Sequence, residues 1–175
     1  MTDRFYYSKI ISKTSIEIPA FENGQTFESK YNPQREAETL LTTIEKEYSF
    51  FLVCGIGSGT FIKELNQRFP KAKIIAVENS VSDINFISEF PSFISIKNNP
   101  QITIISKEDC KKTLIQNYLP AIYPDAKIIF QRNWALHNEE TFNYLKEEIT
   151  QALEEIKYDF SVQSQFGKLW QDNII

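Results

Sequence analysis

Five apolar residues, Phe50-Phe51-Leu52-Val53-Cys54, run straight into Gly55-Ile56-Gly57-Ser58-Gly59, and Phe61, Ile62, Leu65 and Phe69 then recur at helical spacing before Pro70. This junction limits the fold more than any other feature. An apolar run without alternation has no polar face to offer water, so it reads as a strand buried on both sides, as in a parallel sheet. Gly55 lets the chain leave that strand through backbone angles barred to other residues. Gly57 removes a side chain where a ligand would approach, and Gly59 lets the next helix pack closely. The free N–H groups around Ser58, where the helix starts, form an electropositive seat.

The strand-then-helix pattern repeats. Residues 73–77 read as a second strand, ended by Glu78 and followed by a helix over about 80–90. Residues 102–105 and 127–131 read as further strands, with helices over 107–118 and 138–156. In the last of these, Phe142, Leu145, Ile149, Leu153 and Ile156 share one face. Strands alternating with helices imply right-handed crossovers and a parallel sheet.

The first 30 residues differ. Ile10, Ile11, Ile16, Ile18 and Phe27 flank Glu22-Asn23-Gly24-Gln25, a hairpin signal. Two short antiparallel strands are expected there, as a lid or platform. Asn32 then reads as an N-cap and Pro33 as the first helical position of a helix running to about Glu47. The expected division is 1–30 hairpin, 31–160 main domain and 161–175 a C-terminal helix, in which Phe166, Leu169 and Trp170 form an interface stripe.

Glycine at 55, 57 and 59 departs from the dinucleotide fingerprint, whose sixth place here is Thr60. It resembles instead the loop of class I S-adenosylmethionine-dependent methyltransferases. That resemblance implies a Rossmann-like, methyltransferase-like α/β fold, with a parallel sheet flanked by helices and preceded here by the small hairpin. In both families an acidic residue ends the second strand and takes the ribose hydroxyls, and Glu78, 19 residues after Gly59, stands in that place. Active methyltransferases commonly carry Asp or Glu two places before the first glycine, where this chain has Val53. Two readings stay open: a site for a nucleotide or S-adenosylmethionine-like ligand, or a sheet that uses its glycines only to turn, with Glu78 a solvated strand end.

Ser29-Lys30-Tyr31-Asn32-Pro33-Gln34-Arg35-Glu36-Ala37-Glu38 is similar to a segment of the motility accessory factor family, S-(K/R)-Y-(N/D)-P-x-x-E-A, which also precedes a strand and a G-x-G-x-G turn. The closing stretch from Phe166 to Ile175 resembles the family's stretch before its central domain. The resemblance implies the N-terminal Rossmann-like domain of a larger protein associated with flagellin glycosylation. Such proteins are regarded as transferases of nine-carbon, sialic-acid-like sugars. A C-terminal catalytic domain of the same protein and flagellin are then the expected partners, and catalysis by this part alone is not expected. An autonomous methyltransferase and a protein-interaction module docking flagellin are the alternatives.

Other features narrow the function classes. The net charge is −4 and the sequence pI about 5.2, which argues against binding a phosphate backbone. Lys107, Lys111 and Lys112 read as a solvated helix face. Cys54 and Cys110 give neither a disulfide framework nor metal-ligand spacing. No stretch reaches signal-peptide or transmembrane length, so the expectation is a cytoplasmic chain without membrane contact. Arg132 and Trp134, after the fourth strand, are candidates to pair a phosphate and stack on a base; the alternative is an exposed Arg and a Trp wedged under the loop. His137 is the lone histidine, with no triad or cluster to join. Glu108 and Asp109 read as helix-start carboxylates. Tyr31 is expected to cover the glycine turn, and Arg35 with Glu36 and Glu38 to link the entry segment to the sheet.

Overall fold

The computed structural model describes residues 4–160. The stripe expected at Phe166, Leu169 and Trp170 lies outside them. Strands β1 (Tyr6–Ile11) and β2 (Glu17–Phe21) pair antiparallel. Helix α1 (Pro33–Leu41) leads into β3 (Phe50–Cys54), α2 (Thr60–Arg68) and β4 (Lys73–Glu78). Two short helices, α3 (Val81–Ile87) and α4 (Pro91–Ile96), precede β5 (Ile102–Ser106). Then come α5 (Cys110–Asn117), β6 (Ala126–Phe130), α6 (Arg132–His137) and α7 (Glu139–Phe160).

The main sheet is parallel, in the order β5-β4-β3-β6. The chain steps outward from β3 to β5 and then returns to lay β6 on the other side of β3. With right-handed crossovers, that reversal puts α2 and α4 on one face and α5 on the other. The contacts agree, since α1, α2 and α4 touch in succession and α5 packs on α7. All five residues of β3 are buried, as an unalternating central strand requires. The reversal between β3 and β6 is the switch point at which sheets of this kind open a crevice.

Three helices differ from the pattern read in the sequence. α1 stops at Leu41 rather than near Glu47. Thr39, Thr42 and Thr43 turn their hydroxyls back onto the carbonyls of Arg35, Thr39 and Leu40. Arg68 then takes the carbonyls of Leu41 and Ile44, so the freed acceptors are met from α2. The helix expected over 80–90 stops at Ile87, and Pro91 then starts a separate short helix, α4, at its first position. The short α6 carries Trp134 and His137.

Candidate functional site

The glycine turn lies at the end of β3 against the end of β4. Glu78 is completely buried there, so it is no solvated strand end. Its Oε2 accepts from Ile56 N–H at 3.1 Å and Gly57 N–H at 3.4 Å. The hydroxyl of Tyr6 donates to the same oxygen at 2.7 Å. Oε1 accepts from the Trp134 indole N–H at 2.6 Å and from its neighbour's backbone, Asn79 N–H, at 2.9 Å. Burial raises the Glu78 carboxyl above its usual range, opposed first by the Tyr6 hydrogen bond. The oxygens that would take a ligand's hydroxyls are held by the protein's own donors.

A second carboxyl fills the helix seat. Glu28 Oε1 accepts from Ser58 N–H at 2.8 Å and from Ser58 Oγ at 2.6 Å. The Ser58 hydroxyl also meets Thr60 Oγ1 at 2.7 Å. A helix N-terminus attracts an anion or a carboxyl, and here the occupant comes from the N-terminal segment. Burial pushes the Glu28 carboxyl up to about 8, against the two Ser58 hydrogen bonds that lower it.

The glycines fit this internal packing. A Cβ on Gly57, whose φ is +61°, would lie 2.2 Å from Phe27 Cδ1 and 2.8 Å from Glu28 Oε1. Phe27 thus takes the approach that the sequence assigns to a ligand. A Cβ on Gly55 would lie 2.9 Å from Trp134 Cγ, and one on Gly59 would lie 2.9 Å from the backbone nitrogen of Phe93.

The residues around the turn explain how this packing is set. Ser29 Oγ accepts from the backbone N–H groups of Tyr31 and Asn32, and Asn32 caps α1 by accepting from Arg35 N–H at 3.0 Å. Glu36 Oε1 reaches back to Ser29 N–H at 3.0 Å. The segment quoted above is therefore a helix-entry device that delivers Phe27 and Glu28 onto the turn. Tyr31 is exposed, under Lys13, and does not cover the turn; Phe27, Glu28 and Tyr6 do. The polar link expected from this segment to the sheet is not formed by these residues: Glu36 bonds back to Ser29 within the segment, and Arg35 and Glu38 are exposed.

Trp134 is fully buried and serves as a donor to Glu78, whereas Arg132 is exposed. His137 stacks on Phe21 with centroids 4.0 Å apart and contacts Gln25 Oε1 at 2.7 Å, clasping the hairpin to α6. Cys54 and Cys110 are buried; burial pushes both thiols up, Cys110 to about 12. Lys107 is tied to Asn79 Oδ1 at 3.0 Å, and Lys111 lies 4.0 Å from Glu155, so they do not form one open basic stripe. Glu108 and Asp109 are exposed.

Sequence patterns left three of these players unmarked. Tyr6 and Glu28 act across long stretches of chain, and no local pattern marks them. Asp83 carries a faint signal, since Ser80 and Asp83 form a capping pair. Its buried carboxylate accepts from Phe5 N–H at 2.8 Å and Tyr6 N–H at 3.1 Å, which anchors the start of β1.

Among the described residues, no cluster of His, Cys, Asp and Glu could hold a metal ion, and no helix is long and apolar enough to cross a membrane. No protein-family model and no curated protein matches the chain. Among solved structures, it is similar to the plantazolicin methyltransferase BamL, solved in complex with a triazolic desmethylPZN analog and SAH. The identity is 22% and the TM-score 0.33, over 55% of this chain and 33% of that one. The chain spans about a third of that enzyme's length, and a likeness this slight says nothing of what the chain does.

Proposed function

We propose that the chain is a Rossmann-like accessory domain whose glycine turn is an internal clasp and not a cofactor seat. In this reading it serves a motility-accessory-factor-like protein in flagellin glycosylation with sialic-acid-like sugars, and the transfer chemistry lies elsewhere. One observation carries the accessory role: Glu28 occupies Ser58 while Phe27 lies against Gly57. Seating an adenosyl ligand on this turn requires both residues to leave. Tyr6 and Trp134 would also have to release Glu78. The family part rests on the segment at 29–38 and its order before the turn.

Calorimetric titration with S-adenosylmethionine and S-adenosylhomocysteine tests the accessory reading. No binding is expected up to about 1 mM. Saturable binding that Glu78→Ala abolishes would instead establish the methyltransferase reading, which draws on Glu78 facing the turn. The family part has its own test. The gene, or a neighbour, should encode a transferase domain, and the chain should co-purify with that domain or with flagellin. Failure of both retires it.

A further inference from the structure

The segment at Phe27 and Glu28, helices α1 and α2 and the end of β6 enclose a cavity of about 220 Å³. It lies by the switch point between β3 and β6, where sheets of this class bind ligands. Two of its lining residues keep a buried polar atom without a hydrogen-bond partner: Glu28 Oε2 and Gln131 Nε2. Glu28 is 5% exposed and Gln131 8%. Buried polar atoms are nearly always paired, and two unpaired ones at one cavity indicate a missing partner. The space far exceeds the roughly 10–15 Å³ that one bridging water needs. It falls below the roughly 300–1,000 Å³ of sites for drug-sized ligands, which limits an organic occupant to the size of a small metabolite.

The lining is polarised. Carboxyl groups come from the N-terminal segment and α1, as Glu28 and Glu36. The donors come from the end of β6 and the start of α6, as the Gln131 amide and the exposed Arg132 guanidinium. Phe61 and Leu40 are among the apolar walls. A neutral polyol would meet Glu28 and Gln131 but leave the Arg132 guanidinium without a counter-charge. We propose that the cavity binds a free α-amino acid with an apolar side chain. Its ammonium group donates to Glu28 Oε2. Its carboxylate accepts from Gln131 Nε2 and pairs with Arg132, and its side chain lies against Phe61 and Leu40. This assignment does not rest on the accessory role proposed above.

Glu28 is faced by Glu36 from α1 and Tyr6 from β1, with Ser58 beneath it, and Arg132 from α6 lines the same cavity. Burial holds its carboxyl up at about 8, so an ammonium ion that binds near neutral pH displaces a proton from it. A polyol would displace none.

The test is calorimetry on the whole chain at pH 7, in buffers of different ionisation heat. The probes are L-leucine, L-phenylalanine, 4-methylpentanoate, 3-methylbutylamine and sorbitol. L-Leucine or L-phenylalanine should bind with proton release. The deaminated and decarboxylated analogues of leucine should each bind at least about tenfold more weakly than leucine itself. Arg132→Ala alters an exposed side chain and should leave the fold intact. It should weaken amino-acid binding about tenfold while leaving 3-methylbutylamine unaffected. No binding of either amino acid, binding without proton release, equal binding of the three leucine-shaped probes, or preferential binding of sorbitol would each overturn the proposal.

Discussion

The hydroxyl of Tyr6 donates to Glu78 Oε2 at 2.7 Å and accepts from Gly57 N–H at 3.2 Å, so one phenol joins the N-terminal hairpin, the glycine turn and the end of β4. The phenol is buried, and burial, followed by the Glu78 charge, raises its pKa well above the ordinary value. It remains a donor across the working pH range. Tyr6→Phe keeps the ring's packing on Phe21 and Phe86 but strips Glu78 of a donor. The expected loss of stability is about 1–3 kcal/mol in urea unfolding, whereas Tyr7→Phe, at an exposed position, should change little.

Gly57→Ala should be more damaging than a surface glycine substitution. The new Cβ combines a positive φ with contact against the Phe27 ring and Glu28. Strain and overpacking together should cost roughly 2–5 kcal/mol by chemical denaturation. Gly24→Ala shares the positive φ but meets no atom within 4 Å, and it isolates the backbone part of that cost.

The pH dependence of stability should carry the mark of Glu28. Its folded pKa is raised to about 8 from 4.5, so the folded chain holds the proton more tightly than the unfolded chain. The stabilisation is fully present below about 4.5 and is lost as pH rises through about 8. Glu28→Gln cannot titrate. Compared with the parent chain, it should show a shallower fall in stability between those limits, measured by urea midpoints across the range. Equal slopes would mean that Glu28 ionises freely in the fold.

Asp83→Ala removes the acceptor of the Phe5 and Tyr6 N–H groups and of the Ser80 hydroxyl. Losing hydrogen bonds to a buried carboxylate should cost about 1.5–3 kcal/mol or more. Hydrogen exchange at Phe5 and Tyr6 should quicken more than at the β3 amides, which keep their ladder on both sides.

Much of this architecture was legible in the sequence because its cause is local. The runs at 50–54 and 74–77 are apolar without alternation, and both lie in central strands. Glu78 was found because strand, turn and helix fix its distance from the glycines. The occupant of the turn was not legible. Glu28 reaches Ser58, and Asn133 Nδ2 reaches the carbonyl of Phe27, through contacts that only the closed tertiary structure creates. The end of α1 was missed for a different reason: apolar spacing continues to Ile44, but threonine hydroxyls compete for the helical carbonyls.

The clasp has a consequence for how the chain is made. Phe27 and Glu28 leave the ribosome long before Gln131 and Asn133 exist, yet their final setting draws on both. The setting is completed only when α6 emerges, because Phe21 stacks on His137 and the Phe27 carbonyl accepts from Asn133. Trimming the first thirty residues would therefore uncover the glycine turn and Glu78 rather than tidy a loose end.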